Sequence, residues 1–416
     1  MKNTLNLLLM GTANGKNVNN YLKEYLLDFE KKEDISVNFN FISWNRAYET
    51  IINLFKEGNP PDVFQLGTTW VRTMTYLDYI SPLNISIKTN PPLSDWMNKY
   101  CNYQGEQIAA PWLVDTFTMV ARQDILDKYD ISADEFRDQE GFRRVCSYLT
   151  DLHKKKKAIK ALSLTIRPDT STIHYFSSLL FAAGRDFPDL YSVPDKILLR
   201  KEFVEVFDYI YSLLKTCDMS IEDVDKHRYE LDYQYYYHNG SVFYIGNWNK
   251  VIENIVHGGI ENNQGYSFTP YPIPSKGANE STYGGGSVLT VSSRSNYPEK
   301  SWKLIEFMTG SDFLNKWQKI TSGVPAFDYE FWQRRSTDKS VKTLYEMTVN
   351  SKSYPLHPIW TSIEDRLGTA ISNSLWKIVE DINIDRESSH IEVLRKHDRE
   401  INDLLKMAWE MNRDEH

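Results

Sequence analysis

Cysteine is scarce in this chain. Cys101, Cys146 and Cys217 are the only three in 416 residues, and no two form a CxxC pair. A disulfide framework and a zinc knuckle are thereby disfavoured, while a single disulfide stays open. The nine histidines form no HExxH and no paired spacing of the kind that holds a metal. No run approaches the roughly 18 apolar residues that a transmembrane helix needs. Positive charge is also short: the net charge is −8 and the pI near 5.7. Nucleic acid, which rewards a basic patch that neutralises phosphates, is therefore a poor partner. The one strongly basic run, His153-Lys154-Lys155-Lys156-Lys157, reads as a solvated helix end.

What the chain has in quantity is aromatic residues, 13% of the total, with 11 Trp and 26 Tyr. Several sit beside Gly, Pro, Asn and Asp, in loop-like contexts where a ring is partly exposed. Such rings offer flat apolar faces with polar rims, suited to ligands that present C–H faces and hydroxyl edges. Hydrophobic residues at 41% and charged residues at 25% are globular values. The length exceeds one ordinary core, so two or three domains or lobes are expected.

The opening MKNTLNLLLMGTANGKN admits three readings. A phosphate loop needs G-x-x-x-x-G-K-[ST], but only three residues separate Gly11 from Gly15, and Asn17 replaces the magnesium-binding hydroxyl. A secretion signal needs a longer apolar region; this one is short, is broken by Asn6 and has no following lipobox cysteine. The remaining reading is a buried parallel strand, Leu5 to Met10, that runs into a Gly/Asn turn. A helix over Asn19 to Lys32 follows, with Tyr21, Leu22, Tyr25, Leu26 and Phe29 on one face. Ser36 to Ser43 then alternates as a second strand. Strand, loop, helix, strand opens an α/β sheet, which binds ligands beyond the carboxyl ends of its strands.

Further along, Trp44 follows the second strand in a loop position, and a helix runs to about Lys56. Gly58-Asn59-Pro60-Pro61 stops it before a short strand, Asp62 to Gly67. Helices are expected near Gln123–Tyr129, Asp138–Lys157, Ile173–Ala183 and Lys201–Leu214, with strands at Ala161–Ile166 and Val242–Trp248. Pro270-Tyr271-Pro272-Ile273-Pro274 reads as a stiff extended link. Tyr283-Gly284-Gly285-Gly286-Ser287 reads as a loop before the strand Val288–Val291. Tyr297 to Met308 is a helix with Pro298 near its start, and the tail from about Ile363 is almost wholly helical. No internal repeat or low-complexity tract is found.

Taken in order, PPDVFQLG, AAPWLVDTFTMVARQDIL, VFYIGNWN, YPIPSKG, YGGGSVLTVSS, NYPEKSWKLIEFMTGSDF and SGVPA form a pattern. It resembles the bacterial extracellular solute-binding proteins of the sugar-binding type, the receptors of ABC importers. The resemblance spans nearly the whole chain. It implies an α/β, periplasmic-binding-protein-like fold of two lobes, with a hinge crossed several times and a ligand cleft between them. Crossings are expected at Ala110–Thr116, Pro270–Pro274 and Ser322–Pro325. One lobe would hold residues 1–113 plus 275–322, and the other 114–274 plus 323–416. Implied function is capture of a sugar or oligosaccharide, without catalysis, for ABC permease subunits. A sensor delivering to a signalling partner is the alternative. The protein is expected to be a monomer, with no cofactor or metal.

Within that pattern, Thr12 and Asn14 are candidate contacts in the first ligand-facing loop. Trp44 is read as binding. Asp62, where the family has its PD pair, either accepts hydrogen bonds from sugar hydroxyls or caps its own turn. Gln65 and Trp70 lie at the exit of that strand, Trp70 stacking on ligand or filling core. Trp112 and Asp115 sit in the first crossing, which lines the cleft in this family. Trp248 matches the family's G-x-W element. Gly285 and Gly286 could bring backbone N–H groups onto a ligand oxygen. Trp360 lies just before a C-terminal helix. Where many members carry an aromatic before R/K-x-D, this chain has Ala121 before Arg122-Gln123-Asp124, which argues against a typical malto-oligosaccharide.

A carbohydrate-active enzyme is the competing class, but no motif marks a carboxylate pair, and a G-x-S-x-G elbow is absent. The family resemblance places the protein in the periplasm or outside the cell. The absence of a recognisable signal peptide or lipobox leaves a cytoplasmic protein, or one excised from a longer polypeptide, as the alternative.

Overall fold

The computed structural model describes residues 3–11, 16–84, 86–87, 95–156, 160–164, 166–225, 241–248, 266–277 and 280–413. Its strands, in chain order, are β1 (Thr4–Met10), β2 (Ser36–Ile42), β3 (Val63–Gly67), β4 (Ile80–Ser81), β5 (Asn102–Tyr103) and β6 (Glu106–Gln107). They continue with β7 (Ala110–Arg122), β8 (Lys160–Ser163), β9 (Ser241–Asn247), β10 (Phe268–Tyr271), β11 (Gly284–Ser292) and β12 (Val324–Pro325). The chain divides into two compact units. The first comprises Met1–Asp115 and Gly285–Val341, the second Thr116–Gly284 and Lys342–His416. Two of the three switches fall inside strands, β7 and β11, and the third falls in the helix Lys339–Val349. Pro270–Pro274 lies within the second unit, and Ser322–Pro325 within the first.

In the first unit the sheet runs β2-β1-β3-β11. β1 is parallel to both neighbours, Leu7 lying opposite Phe39 of β2 and Val63 of β3. Parallel sheets are covered on both faces by their crossover helices, and an interior strand such as β1 is accordingly apolar and buried without interruption from Leu7 to Met10. β11 returns antiparallel against β3. Helix Trp44–Lys56 buries Ala47, Ile51 and Phe55 at helical spacing. Phe55 stacks on Tyr79 with ring centroids 4.1 Å apart and meets Phe64 of β3 edge-on.

The second unit carries the remainder of β7, with Phe117–Ala121 antiparallel to β9 and β8 parallel to β9. β10 pairs with the last residues of β7, Pro270 opposite Val120. Pro270, expected in a stiff extended link, is thus in a strand with one described partner, a position that tolerates a missing N–H. Helix Thr170–Ala182 begins at Asp169, whose carboxylate accepts from the Ser171 N–H at 2.9 Å. Its Phe176 packs in the core against Phe203 and Phe207 of helix Lys201–Thr216.

Most element positions match the sequence reading to within a few residues. The glycine run does not: Gly284–Gly286 begins strand β11 and is no loop. Trp44 likewise is the first residue of its helix, not a loop residue.

Candidate functional site

The carboxyl ends of β1, β2 and β3 lie side by side, and the residues that follow them form the candidate surface of the first unit. Gly11, with φ +156°, donates its N–H to Ile42 O at 2.9 Å, holding the exits of β1 and β2 together. β3 ends at Gly67, and a single turn of 3-10 helix, Thr68–Trp70, follows. Trp44 and Trp70 meet over Gly67 with ring centroids 5.9 Å apart, and Tyr48 meets Trp70 edge-on at 5.5 Å. A Cβ added at Gly67 would lie 3.5–3.7 Å from both indoles, ordinary van der Waals contact, so both rings rest directly against the strand end. Trp44 keeps 42% of its surface exposed. This is an apolar platform with accessible ring faces, the surface that a saturated ring with axial C–H groups can stack upon.

Beside the platform, Gln65 and Asp62 do other work. Gln65 is buried, and its Oε1 accepts from the Met10 N–H at 2.8 Å. Asp62 stands at the opposite end of β3. Its carboxylate accepts from Asn6 N–H at 2.8 Å and from Ser295 Oγ at 2.6 Å. Both side chains clamp β1 against β3; Asp62, expected either as a ligand contact or as a cap of its own turn, bonds Asn6 of β1 and Ser295.

Three more expected contacts are packing residues. Trp112 is 1% exposed, with its indole N–H donated to Met308 O at 3.3 Å and its ring 5.5 Å from Trp317. Gly285 is buried within β11. Gly286 takes φ +148°, and a Cβ there would lie 2.1 Å from Leu113 O and 3.0 Å from Val114 Cα. The glycine is required by the closeness of β7, not by a ligand. Asp115, partly buried, is the last residue before the first switch and has its own partner. Thr12 and Asn14 lie outside the described residues.

In the second unit Trp248 directly follows β9 and is buried. Trp360, also 1% exposed, opens helix Trp360–Asn383 and stacks on Tyr354 at 4.8 Å. It belongs to an aromatic wall that the sequence reading missed. His174 stacks flat on Tyr283 at 4.1 Å, and Tyr283 stacks on Tyr354 at 4.8 Å. Phe187 meets Tyr354 and Trp360 edge-on. The His174 Nδ1 and Tyr354 Oη share a 2.5 Å hydrogen bond. Burial pushes the His174 imidazole down to about 3, so its ring is neutral at pH 7. At the wall's outer side Tyr191 is 61% exposed, lies 4.6 Å from His357 and donates its hydroxyl to Leu356 O at 3.0 Å. Tyr48 was discoverable from its i,i+4 spacing to Trp44. His174 and Tyr191 carried no comparable signal, because their partners are 57–180 residues and 165–166 residues away in the chain.

Arg122 and Asp124, the R-x-D pair, form a bidentate bridge at 2.8 and 2.6 Å, with the Tyr266 ring 3.6 Å beneath the guanidinium. Arg122 is itself buried, so the pair knits the end of β7 to the approach of β10. Ala121, just before it, is fully buried in β7. Among the described residues no group of three His, Cys, Asp or Glu side chains is placed to hold a metal, and no helix is long and apolar enough to cross a membrane.

Two discontinuous α/β units, with accessible aromatic rings at the carboxyl ends of parallel strands, define a ligand-binding class of protein. The chain belongs to the bacterial extracellular solute-binding protein family, whose profile matches residues 24–329. A diacetylchitobiose-binding protein, DasA, of Streptomyces coelicolor is 30% identical over 110 residues. That match spans 26% of this chain and 25% of the relative. Among solved structures, the sugar-binding protein MalE from Xanthomonas citri aligns with a TM-score of 0.77 at 18% identity, covering 98% of this chain and 99% of that one. An ABC transporter solute-binding protein from Thermotoga lettingae, bound with α-D-tagatose, aligns with a TM-score of 0.76 at 18% identity, covering 97% and 100%. At these identities the structural likeness speaks for the fold, which is the one anticipated from the order of motifs.

Proposed function

We propose that this protein captures a sugar or short oligosaccharide, does not transform it, and delivers it to the permease subunits of an ABC importer. The observation that carries this reading is the Trp44–Tyr48–Trp70 platform at the carboxyl ends of β1, β2 and β3, in a chain of the solute-binding family. Stacking supplies affinity for the C–H face of a pyranose, while neighbouring polar groups select hydroxyl positions. The sugars named for DasA, the Thermotoga protein and MalE relatives point to the same ligand class. Work on the periplasmic or outer side of the cytoplasmic membrane, and a monomeric state, belong to the same proposal. So does ligand-driven closure of the two units, a hinge motion absorbed by a few connecting residues.

Micromolar affinity corresponds to about −8 kcal/mol. Two ring stacks and several hydrogen bonds supply that net of ordering costs. The test is calorimetric titration and thermal shift across mono-, di- and trisaccharides, including N-acetylated ones, with chromatographic analysis of the sugar afterwards. Saturable binding with unchanged sugar supports the proposal. Turnover without saturable stabilisation would replace it with the enzyme reading.

A further inference from the structure

The chain passes between its two units three times, and the three passages are tied to one another within the second unit. Phe117 of β7 is gripped at both backbone groups. Its N–H is donated to Tyr283 O at 3.1 Å, and its carbonyl accepts from Thr282 Oγ1 at 2.8 Å. Those bonds join the first passage to the second. Gly284 then donates its N–H to Lys352 O at 2.8 Å, and Lys352 donates its own to Thr282 O at 2.9 Å. Ser281 Oγ donates to Asn350 O at 2.9 Å. The second passage is thereby joined to the third. The triangle is closed by Thr116 and Thr348, whose hydroxyl oxygens lie 2.7 Å apart. The single Thr348 hydroxyl proton goes to Leu344 O at 2.8 Å, one turn back in helix Lys339–Val349, so Thr116 is the donor of the pair. Thr116, Thr282 and Thr348 are each no more than 1% exposed. Valine has the shape of threonine and would fill any of these places with no hydroxyl to satisfy. What the hydroxyl adds is direction: it holds one passage against another.

We propose that Thr116, Thr282 and Thr348 lock the three passages into one node that opens only as a whole, so that the passages move with the second unit as a single piece. The inference rests on the hinge motion proposed above and gives that motion its anchor. Two strands and a helix carry the passages. Left separate, each would bend at its own weakest peptide, and closure would end in many arrangements. Bonded pairwise, no passage shifts without breaking bonds to both of the others, and each broken bond leaves a desolvated group behind. A buried network satisfied in this way holds the segments it joins in one arrangement. Phe117 and Tyr283 also meet edge-on at 5.6 Å, and Tyr283 stacks on His174 of helix Thr170–Ala182 at 4.1 Å. Both rings belong to the second unit's hydrophobic core. The node is thus fixed to that unit by packing as well as by its own bonds.

Amide hydrogen exchange of the full chain without ligand, resolved to single residues by fragmentation mass spectrometry, tests the node. Phe117, Gly284 and Lys352 each donate an N–H within it. In the parent their protection factors agree within about tenfold, because one opening exposes all three. Thr116→Val speeds exchange at all three by about fivefold, the effect of one lost hydrogen bond, although the bond removed is the one to Thr348. Thr116→Ser, which keeps the hydroxyl, returns the parent rates. Ile371, inside helix Trp360–Asn383, is the control and keeps its rate throughout. A wider spread in the parent overturns the proposal, and that measurement needs no variant to fold. No acceleration in Thr116→Val, or acceleration confined to one passage, overturns it too. So does equal acceleration at Ile371, which would mean a loosened unit with no separate node. No sugar enters these measurements. A chain that binds no sugar loses the function proposed above and keeps the node, whereas separate openings remove the node and leave sugar capture standing.

Discussion

Gly286→Ala separates two uses of a glycine, as a ligand approach or as a packing necessity. The added methyl would stand 2.1 Å from Leu113 O, 2.8 Å from Met97 Cε and 3.0 Å from Val114 Cα. The methionine can turn aside, but a backbone oxygen and a Cα in β7 move only if the strand moves. Overpacking of this kind costs about 1–3 kcal/mol, and a left-handed φ adds about 1–2 kcal/mol for a residue with a Cβ. Together that is about 2–5 kcal/mol. For a domain of 150–250 residues each kcal/mol lowers the melting temperature by roughly 2–4 °C, so the loss is on the order of 10 °C. Gly277→Ala is the control: it shares a left-handed φ of +94° but faces open space, so only the backbone cost applies. Melting curves and urea titrations of both variants, without ligand, read the difference. If Gly286→Ala melts within about 2 °C of the parent, the packing argument fails. Loss of sugar affinity at unchanged stability would return the residue to the binding surface.

Trp44→Ala should weaken sugar binding by tenfold or more while leaving the melting temperature nearly unchanged, because much of the ring is already in solvent; titration calorimetry beside a melting curve tests both halves. Trp360→Ala should show the opposite pattern, costing about 3–5 kcal/mol of stability in urea, because it removes a buried indole stacked on Tyr354. An acid dependence of stability is also expected. His174 is held at about 3, and burial lowers His357 and His390 as well. Their neutral forms are favoured in the fold, so stability is complete above the unfolded value of about 6.5 and falls as pH drops toward 3. His174 alone contributes up to about 4 kcal/mol of that fall. His174→Asn should flatten the slope of urea midpoint between pH 7 and 4; an unchanged slope rejects the assignment.

The α/β architecture was readable because its signals are local. Leu5 to Met10 is apolar without interruption, and Ala47, Ile51 and Phe55 repeat at helical spacing. The order of short motifs then led to the family, although none of them is distinctive alone. The candidate site was legible only where a side chain's role depends on its neighbours in sequence. Trp44 and Trp70 both flank strand exits, and both joined the platform. Trp112, Trp248 and Trp360 sit in similar contexts, but neighbouring elements bury all three. Asp62 and Gln65 look alike as polar residues on an apolar strand. Which partners they satisfy depends on β1, which passes 55–56 residues earlier. The glycine run failed for a related reason. Consecutive glycines read as a flexible loop unless a second strand is known to press against them.

The clamps at the two ends of β1 have a consequence for redesign. Asp62 grips Asn6 near the start, Gln65 grips Met10 at the finish, and Gly11 is tied to Ile42. The strand is thus held by its neighbours' side chains and backbone before the chain reaches residue 12. Both clamps grip backbone N–H groups, so they are indifferent to the side chains carried at positions 6 and 10. Thr4 and Asn6, exposed on β1, can therefore be changed without loosening the strand's register against β3.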